Sequence, residues 1–213
     1  MTNFIPIFPL SIIVFPGETL NLHIFEPRYK QLINECVEQK KPFGIPAVIN
    51  KELKELGTLI EVTAIKQVYE DGKMDISTKG IKVFRLLEVI KEIPDKLYSG
   101  AIVTYPEDED DGNRLLMQQV VKGIKELHKL LQVSKDFKKP EDQLKAFDVA
   151  HHMGLNIDEE FELLGLFREV QRQEYLKRHL AKVIPLLSEM ESLKDKVKLN
   201  GHFRNLESFD FDL

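Results

Sequence analysis

The chain holds a single cysteine, Cys36, so no disulfide can form within it and a reducing compartment, the cytoplasm, is expected. No apolar run approaches the roughly 18 residues that a membrane-crossing helix needs. The first residues, MTNFIPIFPLSIIVFPG, lack a basic start and carry prolines inside their apolar part. That reads as folded strand, not as a secretory leader. Basic residues are not in excess: the net charge is −5 and Lys and Arg are interleaved with acids. A broad nucleic-acid surface would need them clustered, to displace counterions from phosphates. Motifs of chemistry are missing too. There is no G-x-x-x-x-G-K-[ST] to cradle phosphates, no H-E-x-x-H for zinc and no G-x-S-x-G around any serine.

What is present is a foldable chain of 213 residues, 43% hydrophobic and 31% charged. That suits one large domain or two small ones. Residues 12–15 read as a short strand, and Pro16-Gly17 suits the centre of a type II turn, where Pro pre-sets φ and Gly accepts a positive one. Residues 19–24 alternate, with Leu20, Leu22 and Ile24 on one face of a half-buried strand. Glu26-Pro27 is a helix start. Tyr29, Leu32, Ile33, Cys36 and Val37 then share a helical face that should end near Lys40, before Pro42. Residues 43–49 read as a strand, 50–56 as a charged loop and 58–69 as a long strand whose phase slips at Ile65, as at a bulge. Asp71-Gly72 marks a hairpin. Residues 74–89 return, with an interruption at Gly80, and 101–105 form the last strand. Short strands, hairpins and one early helix predict a small, mostly antiparallel, barrel-like sheet.

The run EDEDDG at 107–112 reads as a solvated linker; it lacks the alternating ligand spacing of a calcium loop. Beyond it the period becomes helical. Leu116, Val120, Ile124 and Leu127 share one stripe. Pro140 opens a second helix carrying Leu144, Phe147, Ala150 and His151, closed by Gly154. Asp158 is the N-cap expected for a third. A long pattern over 170–196 should kink or break at Pro185. The division expected is a barrel at 1–106, the linker at 107–112, a helical bundle at 113–196 and a tail at 197–213.

Candidate functional side chains are few. His151 and His152 are adjacent and point about 100° apart on a helix, which is poor geometry for sharing a metal. Cys36 lies on an apolar helix face, where a buried structural thiol is the expectation. Glu26 and Arg28 fit a helix cap and a structural ion pair; Arg28 would alternatively grip a ligand carboxylate or backbone. A binding cleft is expected on the barrel or between barrel and bundle. His23, Phe25, Arg28 and Tyr29, from a strand end and the adjoining helix start, are the residues placed to line it. Phe25 and Tyr29 also fit a core role.

Three blocks carry a family resemblance. IFPLSIIVFPG, LGTLIEVTAIKQVYEDGKMDISTKGIKVFRLLEV and LNIDEEFELLGLFREVQRQEYLKRHLAKVI resemble, in that order, the N-terminal substrate-binding domain of the ATP-dependent Lon proteases. The block LHIFEPRY is nearer to stand-alone Lon-like proteins of bacteria. The resemblance implies an α+β fold: a PUA-like β-barrel followed by a helical bundle. It also implies a recognition role, with unfolded or tagged polypeptides as partners, together with a protease or chaperone; no cofactor, metal or membrane is expected. A full Lon protease adds an ATPase module and a Ser–Lys dyad, and neither motif occurs in these residues. The expectation is therefore a recognition module and not an enzyme. An RNA-binding PUA-like module and an enzyme with an unrecognised site are the alternatives.

Overall fold

The computed structural model describes residues 2–202. Six strands form one antiparallel sheet: β1 (Asn3–Pro6), β2 (Thr19–Ile24), β3 (Phe43–Ile49), β4 (Glu52–Val68), β5 (Met74–Ile90) and β6 (Gly100–Thr104). Their order is β1-β6-β5-β4-β3, with β2 paired to β5. The chain just after β1 then runs parallel to β3. Phe8 N–H donates to Gly44 O (2.8 Å) and Val48 N–H to Leu10 O (3.0 Å). The two ends of the sheet thereby meet, giving a closed, barrel-like shape. The phase slip foreseen at Ile65 is present as a register shift between Ile65 and Gln67, one of three along the β4–β5 pair.

Helix α1 (Pro27–Gln39) starts with Pro27 after the N-cap Glu26 and ends at Lys40 in the left-handed region. It lays Tyr29, Leu32, Ile33 and Cys36 on Phe43, Ile60 and Ile76, closing one end of the barrel. The helical half comprises α2 (Arg114–Leu130), α3 (Ala146–Val149), α4 (Ile157–Leu164) and α5 (Glu169–His202). A single apolar cluster unites Phe15, Ile49, Leu56 and Val83 of the barrel with Val120, Ile124, Leu163, Leu176 and Leu180 of the helices. At Gly80 an added Cβ would stand 2.4 Å from the Phe15 carbonyl oxygen. Glycine is what lets the 15–18 turn cross β5 at that point.

Several expectations need correction. Residues 12–15 are not a strand; the first strand is Asn3–Pro6, and Ile13, Val14 and Phe15 are buried as irregular chain. The charged loop at 50–56 shrinks to Asn50 and Lys51, both at positive φ, and Glu52 already belongs to β4. The helix expected after Pro140 is broken into 3-10 turns at Glu141–Gln143 and Ala150–His152 around the four-residue α3. The reason is tertiary: the Ala146 N–H donates to the Glu169 carboxylate (2.7 Å). Asn156, not Asp158, caps α4: its side chain accepts from Asp158 and Glu159, and the Glu159 carboxylate reaches back to the Asn156 N–H. Pro185 does not end α5. It and Ala181, whose carbonyl loses its donor, are both exposed, so the break in the ladder lies at the surface and not in the core. The tail beyond residue 202 lies outside the described residues.

The acidic run is exposed but tethered. The Asp108 carboxylate meets the Arg172 guanidinium, and Asp111 accepts from Arg168 at 2.6 Å. Glu109 and Arg168 bridge as extended backbone. Asp111 also accepts the Val170 N–H (3.2 Å), setting a negative charge at the start of α5, where the helix dipole favours it.

Candidate functional site

At one end of the barrel β2, β5 and β4 run side by side, with His23 opposite Asp75 and Asp75 opposite Gln67. The β4–β5 hairpin turns there through Asp71-Gly72, with Gly72 at φ 73. The Lys30 ammonium donates to the Asp71 carbonyl (2.8 Å), tying α1 to that turn. On the outer face Asp75 joins two aromatic side chains. Its carboxylate takes His23 Nδ1 at 2.7 Å and the Tyr69 hydroxyl at 2.7 Å. The Tyr69 bond first, and then that of His23, hold the Asp75 carboxyl below its usual range; the same carboxylate pushes the Tyr69 phenol up. The His23 ring stands edge-on to Tyr69 (5.8 Å) and stacks with Phe25 (6.2 Å). Phe25 is 57% exposed and Tyr69 38%; Val68, opposite the buried Met74, lies on the other side of the sheet. Aromatic surface is thus presented to solvent by His23 and Tyr69, held by Asp75, and by Phe25 stacked on His23.

The four residues singled out in the sequence separate here. His23 and Phe25 come together on this face. Arg28 lies beside them, forked onto Glu26 through Nε (2.9 Å) and a terminal nitrogen (2.8 Å) and held 4.5 Å over the Tyr29 ring. The structural ion pair foreseen for Glu26 and Arg28 is therefore formed. Tyr29 is not on the face: it is 7% exposed and stacks on Phe8 at 3.7 Å. Spaced i, i+3, i+4 and i+7 with Leu32, Ile33 and Cys36, it belongs to the core stripe of α1, and burial raises its phenol. Tyr69 and Asp75 were missed by sequence reasoning. Their local signal was the Asp71-Gly72 turn that they flank; nothing local marked their pairing with His23.

Other features lie elsewhere. Cavities of about 280 and 290 Å³ lie on the barrel, and one of about 570 Å³ sits within the helical half, lined by Met117, Val121, Leu144, Lys145 and Asp110. Near it Arg172 is buried against Glu169 (3.2 Å) and lies 4.2 Å over the Phe147 ring. Burial alone lowers the Arg172 guanidinium to about 10. His151 bridges the halves: Nε2 meets Glu18 at 3.1 Å and Nδ1 meets Glu160 at 2.8 Å. Burial pushes the Cys36 thiol up to about 12, so it is a packing group and a poor nucleophile. Among the described residues no group of three or more His, Cys, Asp or Glu is placed to hold a metal ion. No described helix is long and apolar enough to cross a membrane.

Residues 5–182 match the family described as the ATP-dependent protease La (LON) substrate-binding domain. A Lon protease of Parabacteroides distasonis is 31% identical over 133 residues, 58% of this chain and 16% of that protein. Protein cereblon of Gallus gallus is 27% identical over 108 residues, 48% of this chain and 24% of that protein. The chain thus spans less than a quarter of the length of these curated relatives. Among solved structures, a Lon N-terminal domain protein from Xanthomonas campestris superposes with a TM-score of 0.63 at 22% identity, covering 82% of this chain and 96% of that one. The N-terminal domain of a Mycobacterium avium complex Lon protease gives 0.60 at 13% identity, covering 85% and 100%. At these identities the structural likeness is one of fold.

Proposed function

The chain belongs to the ATP-dependent protease La (LON) substrate-binding domain family, and from that premise we propose that it recognises polypeptides without transforming them. Its partners are unfolded or tagged chains, which it passes to, or withholds from, a protease encoded elsewhere. The observation that carries this reading is the outer face at the end of β2 and β4, where Phe25 is 57% and Tyr69 38% exposed on either side of His23. Exposed aromatics braced by hydrogen bonds suit recognition of apolar segments, because little side-chain entropy is lost on contact. Arg28, at the rim, adds a cation within reach of a partner's carboxylate. We read the chain as barrel 1–106, acidic joint 107–112, helical half 113–196 and tail 197–213, and place it in the cytoplasm on its single, buried thiol.

The test compares one protein, offered folded and permanently unfolded, as ligand. Binding of the unfolded form alone, with no hydrolysis of ATP or peptide, is expected. Phe25→Ala should weaken that binding about tenfold or more while moving folding stability by no more than ~0.5 kcal/mol. Tyr29→Ala should instead destabilise the fold by about 3–5 kcal/mol, as other large-to-small aromatic changes in cores do. Equal affinity for folded and unfolded ligand would defeat the proposal.

A further inference from the structure

The other side of β2 is a free sheet edge. Among the described residues β2 pairs only with β5, and no backbone hydrogen bond reaches residues 19–24 from elsewhere. The alternation is fixed where the pair begins. Gly80 N–H donates to Glu18 O at 2.9 Å, so Glu18, Leu20, Leu22 and Ile24 turn their backbone groups to β5. Thr19, Asn21 and His23 turn theirs to the open edge. That leaves three N–H and three C=O groups in a row, one residue of each kind every second position along the strand.

Unpaired edges recruit foreign strands, and proteins blunt them with lysine, proline, bulges or cover. Elsewhere in this sheet such devices are visible. The edge of β1 is joined through Ile7 and Leu10 to β3. The outer half of β4 carries Lys66 and two register shifts, at Val62/Ala64 and Ile65/Gln67. β2 has none of these: its sequence is TLNLHI, and its register with β5 is unbroken from Thr19 to Ile24. Phe25, 57% exposed, continues the same edge.

We infer that β2 receives an extended polypeptide segment as an added strand. The occupant is set by the edge itself, because a row of alternating donors and acceptors is matched by another backbone in β conformation. Its side chains divide between two faces. One set lies beside Thr19, Asn21 and His23, which are exposed and polar; the other lies beside Leu20 and Leu22, which are half-buried and apolar. The preferred segment is therefore extended, with apolar side chains at alternate positions. A folded protein keeps such a segment inside its own sheet, whereas an unfolded one exposes it. This deepens the polypeptide-recognition reading and rests on it. It adds that affinity comes from the ligand's backbone, so that many sequences are accepted.

The deciding experiment is amide hydrogen exchange on the intact protein, with and without a reduced, carboxymethylated, permanently unfolded protein. In the free state the amides of Thr19, Asn21 and His23 should exchange quickly and those of Leu20 and Leu22 slowly. On binding, the three fast amides should slow at least tenfold. Asn21→Pro removes an edge donor but no bond to β5; it loses besides only the exposed Lys66 contact to the Asn21 side chain. It should weaken binding at least tenfold. Binding with no protection at those three amides would overturn strand addition and leave polypeptide recognition standing. No binding of the unfolded protein at all would overturn both. Should Asn21→Pro fail to fold, the exchange pattern of the unmodified protein decides alone.

Discussion

His151 offers a quantitative handle on how the barrel is fastened to the helices. Its two ring nitrogens meet two carboxylates at once, Glu160 on α4 and Glu18 in the turn before β2. The same Glu18 oxygen also accepts the Phe15 N–H at 2.9 Å. A neutral imidazole donates from one nitrogen only, so the arrangement needs the cation. The Glu160 bond first, and then the Glu18 bond, raise the His151 pKa from 6.5 to about 9, against the lowering effect of burial. At 1.36 kcal/mol per pH unit that difference sets a ceiling of about 3 kcal/mol. Because the side chain is 38% exposed, solvent screening reduces the contribution to roughly 1–2 kcal/mol. The pKa is raised on folding, so the contribution is complete below about pH 6.5 and disappears as pH climbs through about 9. His151→Asn should lower the urea midpoint by on the order of 0.5–1 M at pH 6. The gap between the two proteins should close to a small residue, from the lost contact with Phe15, by pH 10. Urea titrations at pH 6, 7.5, 9 and 10 measure it, and comparison with the variant cancels the titration of every other group. A gap that stays constant from pH 6 to pH 10, or an imidazole that titrates near 6.5 by NMR, would refute the reasoning.

Two further outcomes follow from buried groups. Arg172→Ala should cost about 3–5 kcal/mol in chemical denaturation, because it strands the Glu169 carboxylate where both side chains are almost fully buried (4% and 2% exposed). Cys36 should react with a thiol reagent only at the rate of unfolding, since it is buried on α1 and its thiol is pushed up to about 12. Fast labelling of the native protein at neutral pH would count against the packing described for α1.

Local physics made much of this fold readable. Pro27 after Glu26, the stripe Tyr29–Leu32–Ile33–Cys36 and the stop before Pro42 fixed α1 to within a residue, because each acts within one or two turns. The Asp71-Gly72 hairpin and the slip at Ile65 were readable for the same reason. At two of the places where the reading failed, a distant group had taken over a backbone bond. Residues 12–15 have strand-like side chains, yet the Val14 carbonyl accepts the Thr58 hydroxyl across 44 positions and no strand forms there. The helix after Pro140 breaks because Glu169 claims the Ala146 N–H across 23 positions. The candidate face was half legible. His23 and Phe25 announce themselves at a strand end, but Asp75 reaches His23 from 52 positions away, and only the register of β2 on β5 brings them together.

The apolar cluster shared by barrel and helices also has a consequence in time. Phe147, which stacks on Phe15 at 5.0 Å, is made 132 positions after it. At synthesis rates of about 5–20 residues per second, that is roughly 7–26 s. Until the helices have followed, Phe15, Ile49, Leu56 and Val83 lack a cover that begins with Val120 and Ile124 and is completed only by Leu163, Leu176 and Leu180. A protein that we propose to bind exposed apolar segments is thus, while it is being made, a carrier of such a segment itself.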